Sequence, residues 1–228
     1  MGGVRALAVS LLALVVAAPA LGADGEPRKA LTAGGQAVAR SIVLKKGDLS
    51  AGFVAHPSSD AARPKGARCG AVDESDLTVT GDASSPDFSR DALGVAVGSS
   101  ASVYRSVGDS NLAWRRAGTS AAVRCFADLV RLGAPSAAGV EVVSAKRMQF
   151  PRVASKALAY RVVATMTLAG KKKVRAYFDA VLLQRGSVQA ALVVTSLVTP
   201  VPVQQERALA AVLAGRMAKA AVPKGPVA

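Results

Sequence analysis

Four runs rich in β-branched and aliphatic residues, Val140–Phe150, Ala157–Leu168, Lys173–Gln184 and Val188–Val198, follow one another with only short polar turns between them. Turns of that length leave no room for a crossover helix, so consecutive strands must pair antiparallel. The chain is thereby committed to a sheet whose faces need covering, and the remaining segments must supply the cover. Strand register follows from keeping apolar positions together, because a slip of one residue moves every side chain to the other face. Leu158, Tyr160, Val162, Ala164, Met166 and Leu168 form one set, and Val174, Ala176, Phe178, Ala180 and Leu182 a second. They share a face if Leu168 opposes Val174, which closes the hairpin through Gly170, Lys171 and Lys172. The same rule pairs Leu182 with Ala190 and Ala180 with Leu192. The opposite face then gathers Arg161, Thr165, Arg175, Tyr177, Asp179, Gln189, Val193 and Thr195. Two accounts of that half-polar face stand side by side. It is solvated or lightly covered by the N-terminal helix, or it is a ligand-facing wall where Tyr177 supplies surface and Arg161, Arg175 and Asp179 supply polarity.

Upstream, Leu77–Gly81 and Leu93–Ser106 alternate as strands do. An apolar stripe from Leu112, Ala113 and Trp114 through Ala122, Cys125, Phe126, Leu129 and Val130 predicts a long helix over Asp109–Leu132. Asp109 is its candidate N-cap, Gly118-Thr119-Ser120 a candidate break, and Gly133 with Pro135 its end. Two further helices are expected: a weakly amphipathic one over Lys29–Leu44 despite Gly34-Gly35, and a closing one over Val203–Lys219 after Pro200 and Pro202. In that last helix Leu209, Val212, Leu213 and Met217 form the apolar side. Asp48 to Phe53 makes a turn and a short extended piece, and His56 to Gly66 has no periodicity and belongs on the surface. The fold class is α+β, an antiparallel sheet of five to seven strands packed with two or three helices.

The N-terminus looks like an address rather than structure. Arg5 precedes the uncharged run Ala6–Ala18, and Pro19-Ala20-Leu21-Gly22 ends it with small residues where a signal peptidase cuts. The run is shorter than the roughly 20 residues that span a bilayer, although an uncleaved anchor is the alternative. Ala23 and Asp24 follow where a lipoprotein would carry cysteine, so no lipid anchor is expected. The division is a signal peptide at 1–22, an N-terminal helical lead at 23–47, one α+β domain at 48–221 and a frayed tail at 222–228. After cleavage, no integral membrane span is expected, and the location is secreted or extracytoplasmic. Export to an oxidising environment makes a Cys69–Cys125 disulfide the natural state of the only two cysteines, against two buried free thiols. Closing so long a loop is worth on the order of 4 kcal/mol in the chain-entropy model.

The net charge of +14 makes the protein a cation, with one dense basic cluster at Lys171, Lys172, Lys173 and Arg175. That cluster is either a solubilising hairpin tip or a contact for anionic envelope polymers and headgroups. Specific nucleic-acid binding is not expected, since nine aromatic residues are too few to interleave with the basic ones as stacking platforms.

Chemistry is mostly excluded by short supply. One histidine and two cysteines cannot build a tetrahedral zinc site, a bis-histidine haem pocket or an iron–sulfur centre. A Ser-His-Asp triad would have to use His56, and no Gly-x-Ser-x-Gly elbow, Ser-x-x-Lys pair or phosphate-binding glycine loop occurs. Asp73, Glu74 and Asp76 crowd one loop, where a glycosidase needs carboxyls facing across a cleft and an EF-hand needs its glycine and distant glutamate. A solvated turn is the simpler account. No metal, cofactor or catalytic residue is expected.

The stretch Ser99 to Cys125, SSASVYRSVGDSNLAWRRAGTSAAVRC, and the strand series after Val140 resemble the extracytoplasmic PknH-like sensor domains and LpqN-like secreted proteins of actinobacteria. The resemblance covers about residues 40 to 220 and implies a sheet-and-helix sandwich similar to the PsbP-like fold, and with it a cleft for a ligand. Those domains carry more than one disulfide, and this chain can form one. The expected function is an exported, non-enzymatic binding or sensor-like module for an anionic envelope component or small ligand, with another envelope protein as a further partner. The alternatives are an accessory or structural envelope protein without a small ligand, and an unrecognised hydrolase built around His56.

Overall fold

The computed structural model describes residues 25–57, 69–90, 94–133, 139–167 and 172–220. Residues 1–24, where a signal peptide is expected, residues 221–228, Leu168 and Lys171 lie outside the described residues. The architecture is α+β with nine strands in one sheet and four helices among those residues. In chain order the elements are β1 (Arg28–Lys29), α1 (Ala33–Ile42), β2 (Val54–His56), β3 (Thr78–Ser84), β4 (Asp87–Arg90), β5 (Val95–Tyr104), α2 (Val107–Ala117), α3 (Ser120–Gly133), β6 (Val140–Met148), β7 (Lys156–Thr167), β8 (Lys173–Arg185), β9 (Val188–Leu197) and α4 (Val203–Lys219). Strand order is β1-β3-β5-β9-β8-β7-β6, with β4 also on β5 and β2 beyond it. Every pairing is antiparallel except the two-residue parallel contact of β1 with β3.

The sheet has more strands than the expected five to seven because β1, β2 and β4 are two to four residues long, too short for alternation to register. β3 and β4 run along the same edge of β5 as one strand broken at Ser85-Pro86, where proline has no N–H to give the ladder. Ser85 repairs the gap, its N–H donating to the Ser99 carbonyl and its hydroxyl accepting from the Ser99 N–H. The long helix divides into α2 and α3 at Gly118–Thr119, and it starts earlier than Asp109. Ser106 is the cap, its hydroxyl accepting from the Asp109 N–H at 3.0 Å.

Both sheet faces are filled. On one, Tyr160, Val162, Phe178, Ala180, Ala191 and Val193 pack against Ala117, Phe126 and Val130 of α2 and α3. On the other, Ala159, Val181, Leu183, Leu192 and Val194 pack against Ala39 and Ile42 of α1 and Ala210, Leu213 and Met217 of α4. α1 lies almost backbone to backbone on β3: a Cβ at Gly35 would strike the Thr80 carbonyl, and one at Gly81 the Gly35 carbonyl. The glycine that weakens this helix locally is what lets it dock. Cys69 and Cys125 form a disulfide that fastens the loop before β3 to α3.

The register of the β7–β8 hairpin differs from expectation by two residues, Met166 rather than Leu168 opposing Val174, which leaves both faces as expected. The β8–β9 hairpin differs by one, Leu182 opposing Ala191 and Ala180 opposing Val193. Gly186 at φ 59° forms a two-residue turn with Ser187, and an even turn forces the odd shift. Gln189, Val193 and Thr195 therefore face α2 and α3, away from Arg161.

Candidate functional site

Arg161 and Asp179 are directly opposed across β7 and β8, on the face covered by α1 and α4. The guanidinium grips the carboxylate with both arms, Nε to Oδ1 at 2.6 Å and Nη2 to Oδ2 at 2.7 Å. Asp179 is 1% exposed, and Arg161 reaches the surface with 17% of its side chain. A third charged residue comes from above. Glu206, in the first turn of α4, is fully buried with Oε1 3.6 Å from Arg161 Nη2, too far for a hydrogen bond. No described donor reaches either Glu206 oxygen. An ionised carboxylate so placed is costly, and the carboxyl responds by keeping its proton. Burial, reinforced by a hydrogen bond to Asp179 and by the Asp179 charge, pushes Glu206 up to about 9 against the opposing pull of Arg161. A protonated carboxyl, unlike a carboxylate, has a hydrogen to donate to a neighbouring acid. Bonding to Asp179 in turn raises Arg161 above its ordinary value.

Outward from this buried triad the wall opens. Arg161 lies over the Tyr177 ring, its guanidinium carbon 6.0 Å from the centroid, and no described residue accepts a hydrogen bond from its Nη1. Arg175 is two residues before Tyr177 on the same strand face, exposed, and its carbonyl accepts from the Val198 N–H. Arg161, Tyr177 and Asp179 of the anticipated wall thus come together, and Arg175 stands at its rim. Gln189 does not join them: it is buried on the far face, its amide donating to the Ser110 carbonyl at 2.7 Å beside Gln184, which binds Ser110 and Asn111. That buried amide pair fastens α2 to the hairpin. Glu206 is the residue that sequence reasoning overlooked. Its signal was its spacing: Glu206, Ala210, Leu213 and Met217 fall on one buried stripe of α4, so a carboxyl occupies a core position.

The other candidates are structural. Asp73, Glu74 and Asp76 form a turn held by three partners. Asp73 accepts from the Ser75 N–H, Tyr104 donates to Glu74 at 2.7 Å, and Arg116 of α2 grips Asp76 at 2.6 and 2.8 Å while also reaching the Asp73 carbonyl. Ser75 hydrogen bonds hold Asp73 low, the Arg116 hydrogen bond holds Asp76 low, and burial beside Glu74 raises the Tyr104 hydroxyl well above its usual value. No group of three or more His, Cys, Asp and Glu among the described residues could hold a metal. His56 pairs with Asp87 across β2 and β4, and its Nε2 lies 3.0 Å from the Ser89 hydroxyl. Ser89 sits mid-strand between Val54 and Ala96, where backbone N–H groups serve the ladder rather than a substrate oxyanion. The contact clips an edge strand to its neighbour. Lys172 and Lys173 are exposed beside the β7–β8 turn. Comparison with protein-family models, curated proteins and solved structures finds no match to this chain.

Proposed function

We propose that the protein is an exported, non-enzymatic binding module that receives a small ligand or envelope component at the Arg161–Tyr177 wall. The observation that carries this is the guanidinium of Arg161, fixed by Asp179 on one edge while Nη1 keeps unused hydrogen-bonding capacity beside an aromatic face. A cation whose geometry is locked in advance loses little entropy on binding, which suits an anionic or carbonyl oxygen with an apolar flank against Tyr177. Arg175 at the rim adds positive charge for the same ligand. The disulfide fits an oxidising compartment, and no described helix is long and apolar enough to cross a membrane. The resemblance to actinobacterial sensor-like domains supports the same assignment. Two filled faces favour the competing account, an envelope protein with no small ligand, and the His56–Ser89 contact is what a hydrolase account would build on.

Mass spectrometry of protein isolated in native form from its secreting host tests this. The expected result is a co-purifying small molecule carried by the wild type and lost from an Arg175→Ala, Tyr177→Leu double variant that melts near the wild-type temperature. A wild type that carries nothing, or a double variant that carries as much, overturns it.

A further inference from the structure

The buried end of α4 is an unusual place for a carboxyl. A helix that covers a sheet with Ala210, Leu213 and Met217 could place an apolar residue one turn earlier, and instead buries Glu206, its oxygens without a hydrogen-bond partner, 3.6 Å from the guanidinium that holds Asp179. Two ionised carboxyls beside one guanidinium repel each other, and the single arginine is already committed to Asp179. The connection that delivers this end of α4 is also distinctive. Val198, 66% exposed, has φ 75°, in the left-handed region that a β-branched residue enters only under constraint. Pro200 and Pro202 follow, and the helix begins with no side-chain cap. The opposite end of α4 is held independently, Arg216 gripping Asp48 at 2.7 and 2.8 Å and reaching the Val43 carbonyl. One end of the helix is therefore anchored by packing and a two-armed ion pair, while at the other Leu209 and Ala210 pack on the core and the charged group is a buried carboxyl without a hydrogen-bond partner.

We infer that α4 is a proton-latched lid: a proton shared by Glu206 and Asp179 holds its first turns on the sheet, and loss of that proton lifts them on the Val198–Pro202 hinge and uncovers the inner side of Arg161. The charged and titratable groups facing Glu206 are Asp179 and Tyr177 of β8 and Arg161 of β7, with Lys146 of β6 next in the same row. β9 turns only Val188, Ala190, Leu192, Val194 and Ser196 to this side, and α1 meets α4 at its anchored end. Without the proton, two buried carboxylates, Asp179 and Glu206, compete for one guanidinium, and the helix end is the part able to move into water. What opening exposes rests on the binding role proposed for the Arg161 wall; the latch itself does not.

Hydrogen exchange of the intact protein, read by mass spectrometry between pH 6 and 9.5 and corrected for intrinsic rates, tests the latch with no ligand present. Protection over residues 203–210 should fall progressively in the wild type across this range, by up to about tenfold per pH unit and levelling off near pH 9, while residues 213–219 stay protected, since the closed form keeps a proton that the open form has already released. Glu206→Gln supplies a permanent donor to Asp179 and should stay flat. Asp179→Asn frees Arg161 for Glu206 and should move the transition down by about one pH unit or more. Identical pH dependence in wild type and Glu206→Gln, a wild type with no transition, or an Asp179→Asn transition that does not move each overturns the latch. A failed search for a co-purifying molecule bears on the binding role alone.

Discussion

Two arginine–aspartate pairs in this protein have nearly the same geometry and opposite meaning. Arg116 grips Asp76 at 2.6 and 2.8 Å, and Arg161 grips Asp179 at 2.6 and 2.7 Å. Asp76 is 54% exposed and Asp179 1%. In water the first pair replaces hydration with a contact of similar value, so its net contribution is small. In the second, water has been removed from Asp179 and Glu206 and from most of Arg161, and each charge depends on the other for its presence. Bond length does not distinguish the two clusters; the dielectric surroundings do.

The largest expected difference comes from removing the cation. Arg161→Met leaves Asp179 and Glu206 buried together and should destabilise the protein by about 3–5 kcal/mol in urea unfolding, whereas Arg116→Met should cost within about 1 kcal/mol. Equal costs would break the comparison. Next is the bond that holds the surface cluster in place. Cys69 and Cys125 fix the 3₁₀ turn Gly70–Val72 immediately before Asp73, so the paired Cys69→Ala, Cys125→Ala variant should lose about 2–5 kcal/mol. A small loss here with a large one in Arg116→Met would mean that the ion pair, not the covalent bond, secures that loop.

The two clusters should also answer pH in opposite directions. Asp76 is held below its usual value by Arg116, so what it adds to stability is present above the ordinary carboxylate range and lost as pH falls. Glu206 is raised from 4.5 to about 9. Between those values the folded state holds a proton that the unfolded chain has released, so its effect is fully favourable below about 4.5 and erodes as pH rises towards 9. The free energy of unfolding should therefore decline from pH 5 to pH 8 more steeply in wild type than in Glu206→Gln, by at most about 1.4 kcal/mol per pH unit. Parallel curves would show that Glu206 is ionised in the fold. The smallest effect is expected at the basic hairpin. Replacing Lys171, Lys172 and Lys173 by Ser should change stability by less than about 0.5 kcal/mol while lowering retention on anionic envelope material at low salt, because exposed charges act through a screened field. Unchanged retention would assign any adhesion to diffuse charge.

Much of the scaffold was legible because it depends on neighbours in sequence. The four strands after Val140 and the helix Val203–Lys219 follow from apolar period and proline placement, and pairing the only two cysteines needed only a compartment. The slip at Gly186–Ser187 shows where that legibility ends. Alternation fixes which residues share a strand face but not whether a turn holds two residues or three, and one residue moved Gln189, Val193 and Thr195 to the other core.

The charged site divides along the same line. The sequence by itself determined that Tyr177 and Asp179 share a strand face, by a period of two, and that Arg161 joins them once the apolar sets of the two strands are kept on one side. Only the tertiary structure decided that α4, rather than solvent or the N-terminal helix alone, closes over them, and that Glu206 is the residue it brings. Side-chain period is local, whereas burial depends on which surface a helix meets across the chain, and burial is what turns an ordinary glutamate into a proton-holding one.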